Sequence, residues 1–347
     1  MTTARNDTEP AVDPARIRSW LDELGIAVSG ALTTDRVGLG QSNLTYTASD
    51  ADGQRWVLRR PPLGTLLASA HDVTREARIL AALWDTAVPV PRILGVSDNP
   101  EVCDAPLVLM EYVEGQVLDR MSAARPLSPQ RRNDIAGSLV NTLATVHAVD
   151  LEAVGLSDLA SHRPYAARQL KRWSSQWEKS KTRESPGLDD LTERLWAAAP
   201  PQTELTLVHG DFHLNNLITD PDTGQVSAVL DWELATLGDP LADMGSLLAY
   251  WAEPGEEPVP GFGVTTLDGF PGHAELTRWY LTETGRDAQA LRYWHVLGLW
   301  KVAVIAEGVL RRALDEPKNR AASGTPTTDI IDTLVDRARR IADAAGI

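Results

Sequence analysis

The spacing of apolar residues changes period several times along the chain. Over residues 14–24 it is helical and predicts an amphipathic lead-in helix. From residue 35 to about 60 the pattern becomes strand-like and punctuated by turns. Thr45-Tyr46-Thr47-Ala48-Ser49 and Arg55-Trp56-Val57-Leu58-Arg59 flank Asp50-Ala51-Asp52-Gly53, the composition of a hairpin turn. Helical spacing returns over residues 72–84, with Val73, Ala77, Leu80 and Trp84 on one face, and Pro89 and Pro91 stop it. Residues 92–96 and 107–111 predict two more strands, completing a small sheet that carries one helix. Beyond Gly115 long helical patterns take over, at 130–149, 164–181, 189–199 and several times after Pro240. Residues 253–272, rich in Pro, Gly and acid, read as a surface loop. The expected class is α+β, with a small β-rich lobe and a larger helical lobe.

Within the helical half, one stretch departs from this pattern. An apolar run at 205–208 leads into His209-Gly210-Asp211-Phe212-His213-Leu214-Asn215-Asn216. A turn at Pro221-Asp222-Thr223-Gly224 opens a second apolar run, 226–230, which ends at Asp231-Trp232-Glu233. If that turn pairs the two runs, Asp211, Asn216 and Asp231 stand together at strand ends. Phosphoryl transfer in the kinase manner needs such a set: a carboxylate to take the hydroxyl proton, and an amide with a second carboxylate for magnesium. A zinc site built on His209, Asp211 and His213 is a poorer reading, because no H-E-x-x-H or cysteine partner accompanies them.

Composition narrows the field. A chain of 347 residues suits two domains or one two-lobed unit. A formal charge of −15 argues against a nucleic-acid partner, which wants a basic face. The single cysteine, Cys103, excludes an internal disulfide and suits a reducing compartment. The polar N-terminus lacks an apolar signal region, and no stretch reads as long and apolar enough to span a membrane, so a cytoplasmic protein without membrane partners is expected. Oligomeric state is left open.

Several residues of the first half extend the argument. Gly38 and Gly40, with Ser42 and Asn43, form a segment between strands that can bend over nucleotide phosphates, although for the glycines alone an ordinary hairpin turn is the better reading. Arg59 ends a strand and Glu76 sits on the next helix, which is a phosphate-holding pair or a plain surface ion pair. Taken in order, Gln41-Ser42-Asn43-Leu44-Thr45-Tyr46, Val57-Leu58-Arg59, Glu76, Met110-Glu111-Tyr112-Val113-Glu114-Gly115, His209-Gly210-Asp211 with Asn216, and Leu230-Asp231-Trp232 resemble the aminoglycoside phosphotransferase and choline kinase superfamily. Within it the chain looks most like the phosphotransferase-like proteins related to domains fused to some acyl-CoA dehydrogenases. The resemblance covers residues 32–312.

That resemblance implies a two-lobed, protein-kinase-like fold. Its parts would be a tail and lead-in helix (1–31), an N-lobe (32–110), a hinge (111–115) and a C-lobe (116–347). It implies Asp211 as catalytic base and Asn216 and Asp231 as ligands of Mg²⁺ on ATP, with GTP not excluded. Glu111 to Val113 would offer backbone groups to the adenine, with Met110 lining its pocket. His209 would pack under the loop and Asp243 would brace its backbone. Arginine replaces the usual strand lysine, and either Arg59 or Arg60 could hold the phosphates; alternation favours Arg59. Asp231-Trp232-Glu233 in place of Asp-Phe-Gly, Gly210 in place of arginine, and the lack of an Ala-Pro-Glu segment argue against a protein kinase and for a small-molecule acceptor.

The acceptor is the least legible part. Residues 168–184 carry a local excess of basic charge with Trp173 and Trp177 four apart, which suits an extended, partly anionic acceptor such as a hydroxyacyl-CoA, or equally a core helix with a solvated face. An aminoglycoside would instead want acid near Asp211, from Glu233, Asp239, Asp243 or the run 253–257. Trp294 and its neighbours line the same cleft or fill the core. The competing class is a nucleotide- or acyl-binding module without turnover.

Overall fold

The computed structural model describes residues 12–37, 43–62, 72–316 and 324–347. Gly38, Gly40 and Ser42 lie outside them. The chain divides into two compact units, one of residues up to Trp84 with Val90–Val113, the other of Asp85–Pro89 with Glu114–Ile347.

The first unit is a five-stranded antiparallel sheet with two helices. Helix α1 (Pro14–Glu23) starts where the Asp13 carboxylate accepts the Ala15 N–H, with proline in its first turn. Strands β1 (Thr33–Val37), β2 (Leu44–Ser49), β3 (Arg55–Arg60), β4 (Ile93–Ser97) and β5 (Leu107–Glu111) lie in the order β1-β2-β3-β5-β4. Ile17, Trp20 and Leu21 of α1 share a core with Tyr46, Trp56 and Leu58 of β2 and β3. Helix α2 (Val73–Leu83), capped by Asp72, packs Val73 and Ala77 against Val108 and Met110. Trp84, expected on that buried face, is 41% exposed, because the helix has already ended at Leu83.

The second unit is mostly helical. Its helices are α3 (Met121–Ala124), α4 (Pro129–His147), α5 (Tyr165–Ser180), α6 (Pro186–Ala197), α7 (Leu241–Tyr250), α8 (His273–Thr284), α9 (Ala288–Asp315) and α10 (Thr328–Ala345). Four short strands accompany them: β6 (Thr206–Val208), β7 (Leu217–Thr219), β8 (Val226–Val229) and β9 (Thr236–Gly238). The turn at Pro221–Gly224 joins β7 to β8; β6, which delivers Asp211, pairs with β9 instead. The expected pairing of the runs 205–208 and 226–230 is thus replaced by two separate ribbons.

Helices α7 and α9 cross in backbone contact. A Cβ on Gly245 would lie 2.2 Å from the Trp294 carbonyl oxygen, and one on Gly298 2.5 Å from the Gly245 oxygen, so only glycine permits this approach. Contrary to the expectation from sequence, α9 is long and apolar enough to cross a membrane by length and composition; 78% of its most apolar window is buried in the fold, as in a core helix. The segment 253–272 also departs from expectation. Val264, Thr265 and Phe270 are buried, and Phe262 stacks on Tyr250 at 4.3 Å, so its apolar residues pack inward despite its Pro, Gly and acid content.

Candidate active site

Asp211 follows β6 through a tight bend at Gly210. There φ is +82°, and a Cβ would lie 2.7 Å from the Leu234 carbonyl oxygen, so the bend requires glycine twice over. The bend is pinned from below by Asp243 on α7, which is 1% exposed: its Oδ2 accepts the His209 N–H at 2.6 Å and its Oδ1 the Gly210 N–H at 2.8 Å. His147, at the end of α4, sets Nε2 3.3 Å from the same Oδ2, while its Nδ1 meets the Tyr280 hydroxyl at 2.7 Å. Burial raises the Asp243 pKa, but His147, His209 and the Gly210 N–H outweigh it and hold the group below its ordinary value.

His209 is fully buried and both ring nitrogens are committed. Nε2–H donates to the Leu230 carbonyl at 2.9 Å, and Nδ1 accepts the Asp211 N–H at 3.2 Å. Those partners define the neutral tautomer. Burial is also the main cause of its lowered pKa, and the ring packs on Trp232 at 4.7 Å. A zinc ion has no nitrogen left to bind there.

Asp211 itself is held at one oxygen. His213 Nε2 lies 3.2 Å from Oδ2, and the Asn216 amide donates to the Asp211 carbonyl at 2.9 Å. Among the described residues Oδ1 accepts no hydrogen bond, and the side chain is 26% exposed. Burial again works against ionisation, yet His213, Lys301 and His209 lower the pKa well below the usual carboxylate range. His213 is clasped edge-on by Tyr250 and Phe262, each at 5.0 Å.

Asn216 and Asp231 come together through the backbone: the Leu230 N–H donates to the Asn216 carbonyl at 2.8 Å, which sets Asp231 beside Asn216. Asp231 is the one described non-glycine residue with positive φ, at 64°. Because the Asn216 amide nitrogen is spent on Asp211, its oxygen is turned away from that bond. An amide oxygen and a carboxylate are hard donors that suit Mg²⁺, which needs only one or two protein ligands when phosphates supply the rest. Among the described residues no cluster of three or more His, Cys, Asp or Glu could hold a metal. The residues present fit a magnesium carried in on a nucleotide.

In the first unit, Arg59 Nε lies 2.7 Å from Glu76 Oε2, and the Arg59 side chain is 15% exposed. Arg60 faces the other side of β3, where it is buried and pairs with Asp104 at 2.8 Å. Alternation along β3 separates the two arginines. Asn43 is buried. Met110 is buried within the α2 cluster; Glu111 Oε1 accepts the Arg92 N–H, and Val113 is half-buried.

The expected acceptor residues scatter. Trp177 is 3% exposed with its Nε1 on Asp189, a core residue between α5 and α6 and not a wall of the site. Much of the basic charge around it is also engaged, Arg168 on the Thr236 hydroxyl and Leu237 carbonyl, Arg183 on Asp332, and Lys181 between Glu178 and Glu184. Trp173 is half-buried and Trp294 is 3% exposed; both border one small cavity. Glu233 is half-buried in the turn after Asp231. Two residues escaped the sequence reading. Lys301, 6% exposed on α9, donates to the Gly210 carbonyl at 2.6 Å, and His147 supports Asp243. A lone lysine inside the apolar run of α9 was the available signal, since a buried charge needs a partner.

A family model described as the phosphotransferase enzyme family matches residues 33–279. The chain belongs to that family. Among curated relatives it is 38% identical over 296 residues to acyl-CoA dehydrogenase family member 10 of Mus musculus, covering 84% of this chain and 27% of the relative. It is 34% identical over 306 residues to family member 11 of Rattus norvegicus, covering 86% and 39%. The chain therefore spans well under half the length of these relatives. A Ralstonia eutropha structure named provisionally as an aminoglycoside phosphotransferase is 29% identical, with a TM-score of 0.74 over 96% of this chain and 97% of that one. A ternary complex of aminoglycoside phosphotransferase APH(4)-Ia with AMP-PNP and hygromycin B shares the fold at 16% identity, with a TM-score of 0.60 over 94% and 97% of the two chains. The phosphotransferase family places the chain among kinase-type enzymes, on the kinase-like α+β fold of the aminoglycoside phosphotransferases.

Proposed function

We propose that the chain transfers the γ-phosphate of ATP, with Mg²⁺, to a hydroxyl of a small molecule. The observation that carries this reading is the setting of Asp211: a carboxylate anchored at Oδ2 and open at Oδ1, beside paired magnesium-type donors. The acceptor hydroxyl donates to Oδ1, which orients its oxygen in line with the γ-phosphorus. As the new O–P bond forms and the bond to the ADP oxygen breaks, the hydroxyl proton passes to Asp211. Asn216 and Asp231 would hold the metal, and the family resemblance assigns Arg59, kept in place by Glu76 within the first unit, to the holding of nucleotide phosphates. Bound magnesium supplies charge neutralisation on the β- and γ-phosphates.

Two acceptor classes are proposed: a hydroxyacyl-CoA, suggested by the acyl-CoA in the names of the dehydrogenase relatives, and an aminoglycoside, suggested by the names of the structural neighbours. The test is transfer of label from γ-labelled ATP with Mg²⁺ to hydroxyacyl-CoAs, aminoglycosides, choline-like amines and sugars. Label on one class supports the reading. Tight ATP binding with no label on any class favours a silent binding module.

A further inference from the structure

Helices α5, α7 and α9 border a small, partly open cavity with room for about one oxygen atom, linked to the catalytic loop by the Lys301 bond to the Gly210 carbonyl. Tyr165, Gln169, Trp173, Ser246, Trp294 and Lys301 are among its lining residues. Lys301 is the one charged residue in that lining, and no carboxylate faces the space. The Gly245–Gly298 crossing of α7 and α9 brings this part of α9 close, one turn before Lys301.

Asp211 and Asp243 act on the ammonium electrostatically, but its hydrogen bonding is incomplete. It carries three N–H donors. One goes to the Gly210 carbonyl at 2.6 Å, and the Trp173 ring centre lies 5.6 Å from Nζ. Among the described residues no other acceptor is seen for it, although the residue is 6% exposed. A buried charge with donors left over calls for an oxygen. The carbonyl that Lys301 holds belongs to the residue before Asp211, so an oxygen placed there is next to the transfer centre.

Four of the acids that an aminoglycoside would need are engaged in the fold. Asp243 accepts two backbone N–H groups, Asp239 caps α7 at the Leu241 N–H, Glu253 accepts the His273 N–H, and Glu256 pairs with Arg337.

We propose that this cavity is a subsite for one carbonyl or anionic oxygen of the acceptor, received by Lys301, and that the same ammonium excludes polycationic acceptors. The proposal rests on the phosphotransferase reading. It makes Lys301 a specificity-determining residue.

Calorimetry on the full chain with AMP-PNP and Mg²⁺ tests it, using 3-hydroxyoctanoate and kanamycin as probes. The wild type is expected to bind 3-hydroxyoctanoate, and Lys301→Met to weaken it by roughly 10-fold to 100-fold, the worth of one charge-assisted hydrogen bond. Lys301→Arg should restore part of the affinity, and kanamycin should bind better to Lys301→Met than to the wild type. Trp173→Leu, half-buried and outside the loop's bonding, should weaken 3-hydroxyoctanoate even if Lys301→Met does not fold. Unchanged affinity in folded Lys301→Met, tighter wild-type binding of kanamycin than of 3-hydroxyoctanoate, or binding of neither would overturn the proposal; the last would leave the cavity to a resident water only. Binding as expected with no label transferred from ATP counts against the phosphotransferase reading alone.

Discussion

Replacing Asp243 with asparagine changes one atom of a buried brace and should loosen the catalytic loop. The carboxylate accepts the His209 and Gly210 N–H groups at 2.6 and 2.8 Å, one on each oxygen. Asparagine keeps one acceptor and turns an N–H₂ toward the other donor. One buried N–H is then unpaired, at about 1–3 kcal/mol. The lowered pKa means that the fold favours the charged form, so losing the charge brings no relief, and the net loss is roughly 2 kcal/mol. Activity should fall further, about 100-fold, because a displacement of ~1 Å at the base has that effect. The pH dependence has a definite sign. Asp243 has a folded pKa below its ordinary 3.8, so its stabilisation is present above that value and fades as pH falls through the lower folded one. Urea midpoints from pH 7 down to about pH 2, with kcat at pH 7 on the same preparations, check both parts. An Asp243→Asn protein within about 0.5 kcal/mol and twofold in kcat of the wild type would refute the bracing argument.

Other positions give independent checks. Arg59→Met should raise the KM for ATP by about 10-fold or more through loss of a charge-assisted contact, while Arg60→Met, which strips the buried partner of Asp104, should lower thermal stability with the KM for ATP unchanged; equal effects from both would count against the assignment. Burial lifts the pKa of Asp239 to about 6, so folding favours its protonated form. The wild type should gain stability as pH falls from about 6 toward the ordinary carboxylate value of 3.8, and Asp239→Asn, which keeps the cap on Leu241, should be more stable than the wild type at pH 7, the gap narrowing with acidification and closing only below about pH 3.8 in urea titrations.

What the sequence disclosed depended on the distance over which each feature is determined. The hairpin at Asp50–Gly53 and the helix capped by Asp72 follow from turn chemistry and period within a dozen residues, and both formed where expected. Asp211, Asn216 and Asp231 could be picked out because the loop carrying them is nearly continuous in sequence. The pairing of β6 with β9 could not, since the turn at Pro221–Gly224 offers a nearer strand and the true partner lies beyond Asp231. Lys301 reaches the loop across the α7–α9 crossing set by Gly245 and Gly298, and His147 supports it through Asp243 from the end of α4, both from helices remote in sequence. Trp173 and Trp177 were inseparable by spacing; burial against α6 and a bond to Asp189 remove Trp177 from the site.

The central claim is that Asp211 takes the acceptor's proton during transfer. Single-turnover phosphate transfer from γ-labelled ATP with Mg²⁺, comparing the wild type with Asp211→Asn at matched ATP occupancy, tests it most directly. The expected result is a loss of about 10²-fold to 10⁴-fold in rate with ATP affinity unchanged. Transfer by Asp211→Asn within tenfold of the wild-type rate would contradict it.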